Sequence, residues 1–587
     1  MDPSQPSSDL AQSPFKSVIG TNYSPSTAEA AIIKSLLVEP QRERARLESE
    51  MRRIQALLEK TKEYIEAHQS LISPIRQLPS ETLAEIFLWC LPADALPVRN
   101  VKQAPLLFTT ICRAWRVVAL STPRLWSSLH IYLPQHLTID ELFQRRAGIS
   151  RWLERSGSLP LFISLHGRTS LVSTPTEFRI AGSSVKDNMM YLIRLLMEFG
   201  DRIMDLSLSL SPRDFLLFDE LSPPQFPALI SLSIRDANLH EGSYGHLHEN
   251  DPREMSLTSL LQRMPRLQKL QLKDFSNHTI SAHTLGVRSL TSLDLSGASA
   301  PFAVTINIVQ ALDLLSQTPW LQFLKMSIML RLSGTDQVSP LPNVHLEHLE
   351  ELRIGFSTST VRPRTDAQAR MISLFTRIQC PSLKKLSVTW QGWLISEIPF
   401  RGLPLCSLEF LELHLLMEAE VLFECLALLT NVKTLQLRTG KYRSEFGNNN
   451  TCALQNTHLL AMTLSAENTT PLCPRLENFH FVDKLGRGLE ALSTAALTNF
   501  IASRKGTLQY CDLFFTKVPG FTEGELDCLR ELKQEGMKIR IHGAKSYPVM
   551  KLDAPDVGMV PWRQHRAVRP SFSISDMEGA NGTDVII

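Results

Sequence analysis

One hydrophobic pattern recurs along the chain from about Leu159 onward. Each copy has an apolar residue, two variable residues, a second apolar residue, one variable residue and a third apolar residue. The last two apolar positions flank a single outward one, which is the alternation of a short, half-buried β-strand. The copies are Leu229–Ile234, Leu267–Leu272, Leu290–Leu295, Leu321–Met326, Leu349–Ile354, Leu383–Val388, Leu408–Leu413, Val432–Leu437, Leu476–Phe481 and Leu508–Leu513.

Helical patterns separate these predicted strands, as in Ser256–Met264 and Asn307–Thr318. One strand and one helix cannot bury both of their apolar faces alone, so the units are expected to stack into a solenoid. The repeated unit resembles the leucine-rich repeat family. The resemblance implies an α/β fold with an irregular, horseshoe-shaped solenoid, which we assign to residues 130–545. Because the copies are unevenly spaced and lack the usual Asn after the strand, we expect uneven loops and no asparagine ladder.

The segment Ser73–Leu129 carries more apolar side chains than a module of its size can bury. Its first helix is predicted to start at Ser80, a good N-cap residue. A second apolar stripe follows within Pro105–Leu129, and Pro123 is well placed to open a third short helix. The surplus apolar surface requires cover from the repeats, from the preceding helix or from another protein.

The sequences LPSETLAEIFLWCLP and ICRAWRVVALSTPRLW in this segment closely resemble the F-box. The resemblance covers residues 73–129 and implies a small three-helix module that docks on a Skp-family adaptor. It further implies assembly with a cullin-RING ubiquitin ligase, in which the repeats hold an unknown protein substrate near the activated ubiquitin. The resemblance places at the adaptor contact Leu78, Pro79, Leu83, Ile86, Phe87, Leu91, Ile111, Cys112 and Trp115. For each of them, burial inside the module is the alternative.

The outward strand positions are expected to line the concave surface of the array, the usual binding face of a solenoid. Their charges alternate in sign, which favours a protein partner over a phosphate backbone. Phe323 and Phe410 are predicted to be exposed aromatic anchors. The candidate substrate-binding residues are Lys269, Gln271, Phe323, Lys325, Arg353, Lys385, Phe410, Glu412 and Arg438. The alternative for each is an ordinary solvated sheet face.

Two segments precede the predicted F-box. Residues 1–28 are rich in Ser, Pro and Thr, and we expect them to be disordered. Residues 29–72 are predicted to form a long charged helix with a heptad seam. The seam positions are Leu47, Met51, Ile54, Leu58, Thr61, Ile65, His68 and Ile72. The spacing favours a coiled coil with self-association, and the alternative is a single amphipathic helix that packs on its own domain.

Composition narrows the classes of partner and the expected compartment. Lys and Arg total 61 against 59 for Asp and Glu, which argues against a nucleic-acid or membrane-surface protein. We find no signal peptide and no apolar run long enough to span a membrane. The nine cysteines are scattered and lack CxxC spacing, which favours a reducing cytosol or nucleus. We expect small buried core groups at Cys90, Cys112, Cys380, Cys406 and Cys473.

Other chemistry has weaker support in the sequence. His240–Asp251 gathers histidines and carboxylates, but its spacing matches no zinc pattern, so we interpret it as a polar insertion rather than a metal site. No nucleotide-binding, metalloprotease or serine-nucleophile motif occurs, so we expect no cofactor and a non-catalytic adaptor. The alternatives are a non-ligase scaffold that uses the coiled coil and concave face, and an enzyme built on the solenoid. Residues 546–587 are predicted to be a mobile tail or a strand that wraps back over the array.

Overall fold

A computed structural model describes most of the chain, which divides into two units, residues 1–86 and 87–587. The described residues are 13–134, 139–167, 185–210, 226–236, 261–273, 289–296, 306–330, 342–357, 364–390, 392–438, 454–466, 468–483, 492–515, 520–543 and 584–585. The histidine-rich segment His240–Asp251 and most of the predicted helix Ser256–Met264 lie outside them.

The first unit contains one long helix, α1, at Thr27–Leu71. Ser26 caps its start, because the Ser26 hydroxyl accepts a bond from the Glu29 backbone N–H and the Glu29 carboxylate accepts one from the Ser26 N–H. The helix continues through Pro40 and is followed by a 3₁₀ turn at Pro74–Arg76. It therefore starts slightly earlier than the predicted segment 29–72.

The heptad seam of α1 is exposed. Leu47, Met51, Ile54 and Leu58 are each between 54% and 57% exposed, and Ile65 is 46% exposed. Within the first unit, taken by itself, no described residue covers this apolar side. The long helix itself agrees with the prediction, while a coiled-coil partner stays a prediction.

Short helices precede the repeats. Helix α2 spans Ser80–Trp89, α3 spans Phe108–Ile111, α4 spans Arg113–Leu120, and a 3₁₀ turn covers Pro123–Trp126. The second predicted helix is thus split in two, because Cys112 is fully extended, with φ −154° and ψ 170°. Its sulfur accepts the N–H of Trp115 and caps α4.

The second unit contains a large, mainly parallel sheet. Among the described residues, fifteen strands share this sheet, and all pair in parallel except the last, β17. The strands are β1 Ser128–Leu133, β2 Leu161–Gly167, β3 Ile203–Leu210, β4 Ser231–Asp236, β5 Lys269–Lys273, β6 Ser292–Leu295, β7 Phe323–Met329, β9 Glu351–Ser357, β11 Lys385–Trp390, β12 Phe410–His414, β13 Thr434–Arg438, β14 Asn478–Asp483, β15 Tyr510–Phe515, β16 Lys538–Gly543 and β17 Asp584–Val585. The two-residue strands β8 Val344–His345 and β10 Ile378–Gln379 form a second, small sheet.

Each strand of the large sheet pairs with its neighbour in chain order, as a stacked repeat array requires. Helices alternate with the strands through much of this unit. They are α5 Ile139–Arg155, α6 Val185–Glu198, α7 Ile308–Ser316, α8 Arg364–Arg377, α9 Ala419–Ala427, α10 Asn456–Met462, α11 Thr494–Ser503 and α12 Glu523–Gln534. None of the helices in the described part of the chain combines the length and apolar content needed to cross a bilayer.

The repeat pattern locates the strands well. Each predicted segment overlaps a strand, and its apolar residues are buried; Leu267, Leu270 and Leu272, for example, are each 0% exposed. The structure adds β1, β2 and β3 before the first recognised copy and β16 after the last. Of the predicted tail, Asp584–Val585 pairs antiparallel with β16, as in the alternative of a returning strand.

Candidate functional site

An aromatic cluster holds the short helices together. The ring of Phe87, on α2, stacks on Phe108 with centroids 4.1 Å apart and lies 4.9 Å from Trp115. Phe87 and Phe108 are 1% and 4% exposed. Because α2, α3 and α4 each contribute a ring, the cluster fixes these helices against one another.

The 3₁₀ turn after α4 is held to the start of the repeats. Trp126 is fully buried, and its indole N–H donates to the carbonyl of Ala119 at 2.8 Å. Its ring meets Trp152 of α5 edge to face at 4.9 Å, and the guanidinium of Arg155 lies 4.7 Å from the ring centre. Through Trp126, these contacts fix the position of α4 relative to α5.

The outer sides of the short helices carry exposed apolar residues. We call this set the apolar helix residues: Trp89 at 87% exposure, Leu107 at 36%, Ile111 at 51%, Val117 at 60% and Leu120 at 38%. Val117 and Leu120 are three residues apart and therefore share one side of α4. Single exposed apolar residues are ordinary, but several on successive short helices are typical of a surface that binds another protein.

The predicted adaptor contacts divide into buried and exposed residues. Leu83 and Phe87 are 5% and 1% exposed, as in the alternative of burial for these two residues. The ring of Phe87 packs against Phe108 and Trp115. The structure exposes Pro79, Ile86, Ile111 and Cys112, and it leaves Leu78, Leu91 and Trp115 half-buried. Whether any of them contacts an adaptor stays a prediction.

Trp89, Val117 and Leu120 were not among the predicted contacts. Their signal in the sequence is helical spacing: Trp89 follows Ile86 by three residues, as Leu120 follows Val117. Each pair therefore occupies one side of its helix. The spacing could have shown that the members of each pair share one side of a helix. It could not have shown whether that side is exposed or buried.

The predicted substrate-binding residues lie on one face of the sheet. Strand register pairs Phe323 with Glu351, and it pairs Lys385 with both Glu351 and Phe410. The first row across the strands contains Lys269, Ser292, Phe323, Glu351, Lys385 and Phe410, and the second contains Gln271, Asp294, Lys325, Arg353, Ser387 and Glu412. Arg438 lies in a third row beside His414. Together these residues form what we call the outward sheet face.

Several side chains of the second row are shielded from solvent. Gln271 and Glu412 are 7% and 5% exposed, so the alternative of an ordinary solvated sheet face does not describe either residue. Gln271 accepts a bond from Ser233 and donates to Asp294 at 2.8 Å. The reason is that the strands bring long polar side chains side by side, and these cover and bind one another across the ladder.

Charges on this face also pair with one another. Glu412 accepts a bond from Ser387 at 2.9 Å and lies 3.4 Å from Arg438, whose side chain is only 10% exposed. Arg353 donates to Glu351 at 2.6 Å. Phe323 and Phe410 are half-buried rather than fully exposed. The face therefore carries a network of hydrogen-bonded and ion-paired polar side chains, with two aromatic rings at its edge. Such a face suits a protein partner with complementary charges.

A charged cluster that was not predicted lies at the C-terminal end of this face. Asp512 on β15 is 2% exposed, with His542 3.3 Å from one carboxylate oxygen and His480 3.8 Å from the other. The Tyr510 hydroxyl donates to Asp512 at 3.2 Å. The outward positions of the last two recognised copies would have revealed His480 and Asp512. His542 was missed because β16 lacks the leading leucine.

Asp512 is expected to make the stability of the array depend on pH. Burial raises the pKa of this carboxyl, but hydrogen bonding and attraction from His480 and His542 outweigh burial and lower the pKa to about 2. A lowered pKa contributes stability above the unfolded value, and this stability is lost as pH falls through the folded value. Asp512→Asn should lower the unfolding free energy by about 2 kcal/mol at neutral pH.

The measurement is urea unfolding of wild type and Asp512→Asn from pH 7 down to pH 2.5. The difference between the two proteins should hold until about pH 5 and then shrink towards pH 2. A difference that stays the same across this range would refute the role given to Asp512.

The cysteines differ from the prediction in part. Cys90, Cys112 and Cys406 are exposed, while Cys380 and Cys473 are buried as expected. Burial raises the pKa of Cys380 and of Cys473 to about 12, so both thiols stay protonated at neutral pH. Within the described residues, no group of three or more His, Cys, Asp and Glu side chains is arranged to hold a metal ion.

No protein-family model matches the chain, and no curated protein matches its sequence. A chain of the crystal structure of the Rad7 and Elc1 complex in yeast is similar over 77% of this chain and 97% of that chain. The identity is 12% and the TM-score is 0.30, a likeness too distant to carry an argument about function.

Proposed function

We propose that the chain is the substrate-recognition subunit of an SCF-type cullin-RING ubiquitin ligase. In this proposal residues 73–129 are an F-box that binds a Skp-family adaptor, and the leucine-rich repeats bind a protein substrate. The chain itself is not an enzyme. It raises the local concentration of substrate lysines near the ubiquitin thioester and orients them there.

The exposure of the apolar helix residues is the observation that carries this proposal. They lie in the segment whose sequence resembles the F-box, and the aromatic cluster of Phe87, Phe108 and Trp115 holds their helices in place. A preorganised apolar surface loses little conformational entropy on binding. An adaptor that presents apolar side chains would cover the residues that this chain leaves in water.

The outward sheet face supports the assignment of substrate binding to the repeats. Its side chains are already fixed by bonds such as Ser387 to Glu412 and Gln271 to Asp294. Fixed charges of both signs select a partner by electrostatic complementarity, and the half-buried rings of Phe323 and Phe410 add apolar contact area.

Co-purification from cells tests the adaptor interface. Val117→Asp places a charge on the exposed side of α4, and we expect it to reduce recovery of a Skp-family adaptor and of the cullin by roughly 30-fold. Val309→Asp is the matched control, because Val309 on α7 is 51% exposed against 60% for Val117 and lies outside residues 73–129. Equal recovery with both variants, or no adaptor with wild type, would overturn the assignment.

A non-ligase scaffold is the second candidate, and the exposed heptad seam of α1 favours it. A scaffold would bind its partners through α1 and the outward sheet face without assembling a ligase. It predicts that no cullin co-purifies and that partner abundance does not change when the chain is deleted. The proposed ligase subunit predicts the opposite result in both measurements.

A further inference from the structure

The exposed side of α1 is wider than a simple two-position seam. When Leu47 is assigned to heptad position d, Met51 falls at a and Ile54 at d. Leu57 then falls at the flanking position g, and it is 57% exposed. The apolar stripe of the helix thus includes one flank, so a partner helix must offer apolar contact at that flank as well.

The flanking charges distinguish parallel from antiparallel pairing with a second copy. In a parallel pair, position g of one helix faces position e of the next heptad of the other. That arrangement sets Glu43 against Glu48 of the second copy, and it sets Leu57 against Lys62. The first contact repels and the second places an apolar side chain against a charge.

An antiparallel pair centred on residue 56 avoids both unfavourable contacts. In it, each e position faces an e position of the second copy, and each g position faces a g position. Glu48 meets Lys62 of the second copy, twice by symmetry, and Leu57 meets its own symmetry mate. In the seam, Ile54 packs on Leu58 of the second copy. The neighbouring antiparallel registers, shifted by one heptad in either direction, bring no opposite charges together at the e or g positions.

We propose that two copies of this chain associate through α1 as an antiparallel coiled coil centred on residue 56. The remaining central layers pair Met51 with Thr61 and Leu47 with Ile65 of the second copy. This interface lies wholly within α1, so it does not depend on the proposed ligase function. Under the proposed function, which this consequence alone requires, two arrays in one assembly would bind a substrate with repeated sites more tightly than one array does.

The charges needed for this pairing are available. Glu48 lies 3.4 Å from Arg44, and Lys62 lies 3.8 Å from Glu59, in pairs whose side chains are all more than half exposed. Exposed pairs of this kind contribute little to stability. They can therefore rearrange to admit a second partner at small cost.

Charge exchange tests the orientation in the full-length chain. By sedimentation equilibrium, Glu48→Lys alone and Lys62→Glu alone should each weaken the dimer about tenfold, since each sets like charges together twice. An equimolar mixture of the two variants should regain wild-type affinity as a heterodimer. Parallel pairing predicts that Glu48→Lys instead tightens the dimer, because the clash with Glu43 becomes an attraction.

Cysteine trapping provides a second readout. Leu57→Cys should form an intermolecular disulfide on mild oxidation, since residue 57 meets its own symmetry mate, whereas Ala56→Cys on the outer side of the helix should not exceed the wild-type background. A wild-type chain that is monomeric at ~100 µM overturns the proposal. So does a mixture of the charge variants that stays as weak as each variant alone.

Discussion

Replacing Arg504 by Met is expected to lower the free energy of unfolding by about 4 kcal/mol. Arg504 follows α11 and is 0% exposed. Its guanidinium donates to the carbonyls of Met462, Leu472 and Cys473 at 2.6 to 2.9 Å. Met can fill the space but donates nothing, so three carbonyls that the fold has removed from water lose a partner.

Arg530→Met is the matched control within the same array. Arg530 on α12 forms ion pairs with Glu523 and Asp527, and its side chain is 46% exposed. Exposed ion pairs contribute little to stability, so this variant should lower the unfolding free energy far less than Arg504→Met does. Chemical denaturation of both variants provides the comparison. Equal losses would mean that the buried carbonyl contacts of Arg504 do not stabilise the array.

The second large effect is expected at Phe87. Phe87→Ala should lower the free energy of unfolding by about 3 to 5 kcal/mol. The side chain is 1% exposed and lies between the rings of Phe108 and Trp115. Its removal leaves a cavity where α2, α3 and α4 meet. Thermal unfolding followed by circular dichroism should show an earlier loss of the short helices.

Trp89→Ala makes the same kind of truncation two residues further along α2. Because Trp89 is 87% exposed, the expected change in the unfolding free energy is within about 0.5 kcal/mol. If both variants were equally destabilised, Trp89 would be a structural residue of the fold. If neither variant were destabilised, the aromatic cluster would not hold the short helices together.

Strand positions could be predicted because the signal for them is local. A segment such as Leu267–Leu272 alternates inward and outward residues, and the parallel stacking of neighbouring copies does not change that alternation. The same alternation put Lys385 and Phe410 on one face, and their register pairing agrees with it. Strand β2 was missed because Pro160 stands where the leading apolar residue belongs, whereas β3 carries the full pattern at Ile203, Leu206 and Leu208 and could have been predicted.

Burial on the outward sheet face could not be predicted from one strand. Gln271 and Glu412 occupy outward positions, and what buries them is polar side chains of neighbouring strands tens of residues away. The outcome depends on the lengths and charges of side chains that only the register brings together. Asp512 shows the same dependence, since its two histidines come from β14 and β16.

The short helices show a comparable limit. Helical spacing predicted the apolar sides of α2 and α4, but it could not assign Phe87 to the interior and Trp89 to the surface. That assignment depends on where Phe108 and Trp115 lie, and the extended residue Cys112 sets their positions by ending α3 and capping α4. A cysteine cap has no strong signature in sequence, because Ser, Thr, Asp and Asn are the usual caps.

Direct titration of a purified Skp-family adaptor into the purified full-length chain is the decisive measurement. Calorimetry should show saturable binding to wild type and to the control double variant Trp320→Asp/Val309→Asp, whose altered positions are 57% and 51% exposed. The double variant Trp89→Asp/Val117→Asp should bind at least about 30-fold more weakly while unfolding at the wild-type temperature. Absence of binding to wild type, or equal binding to both double variants, would contradict the account.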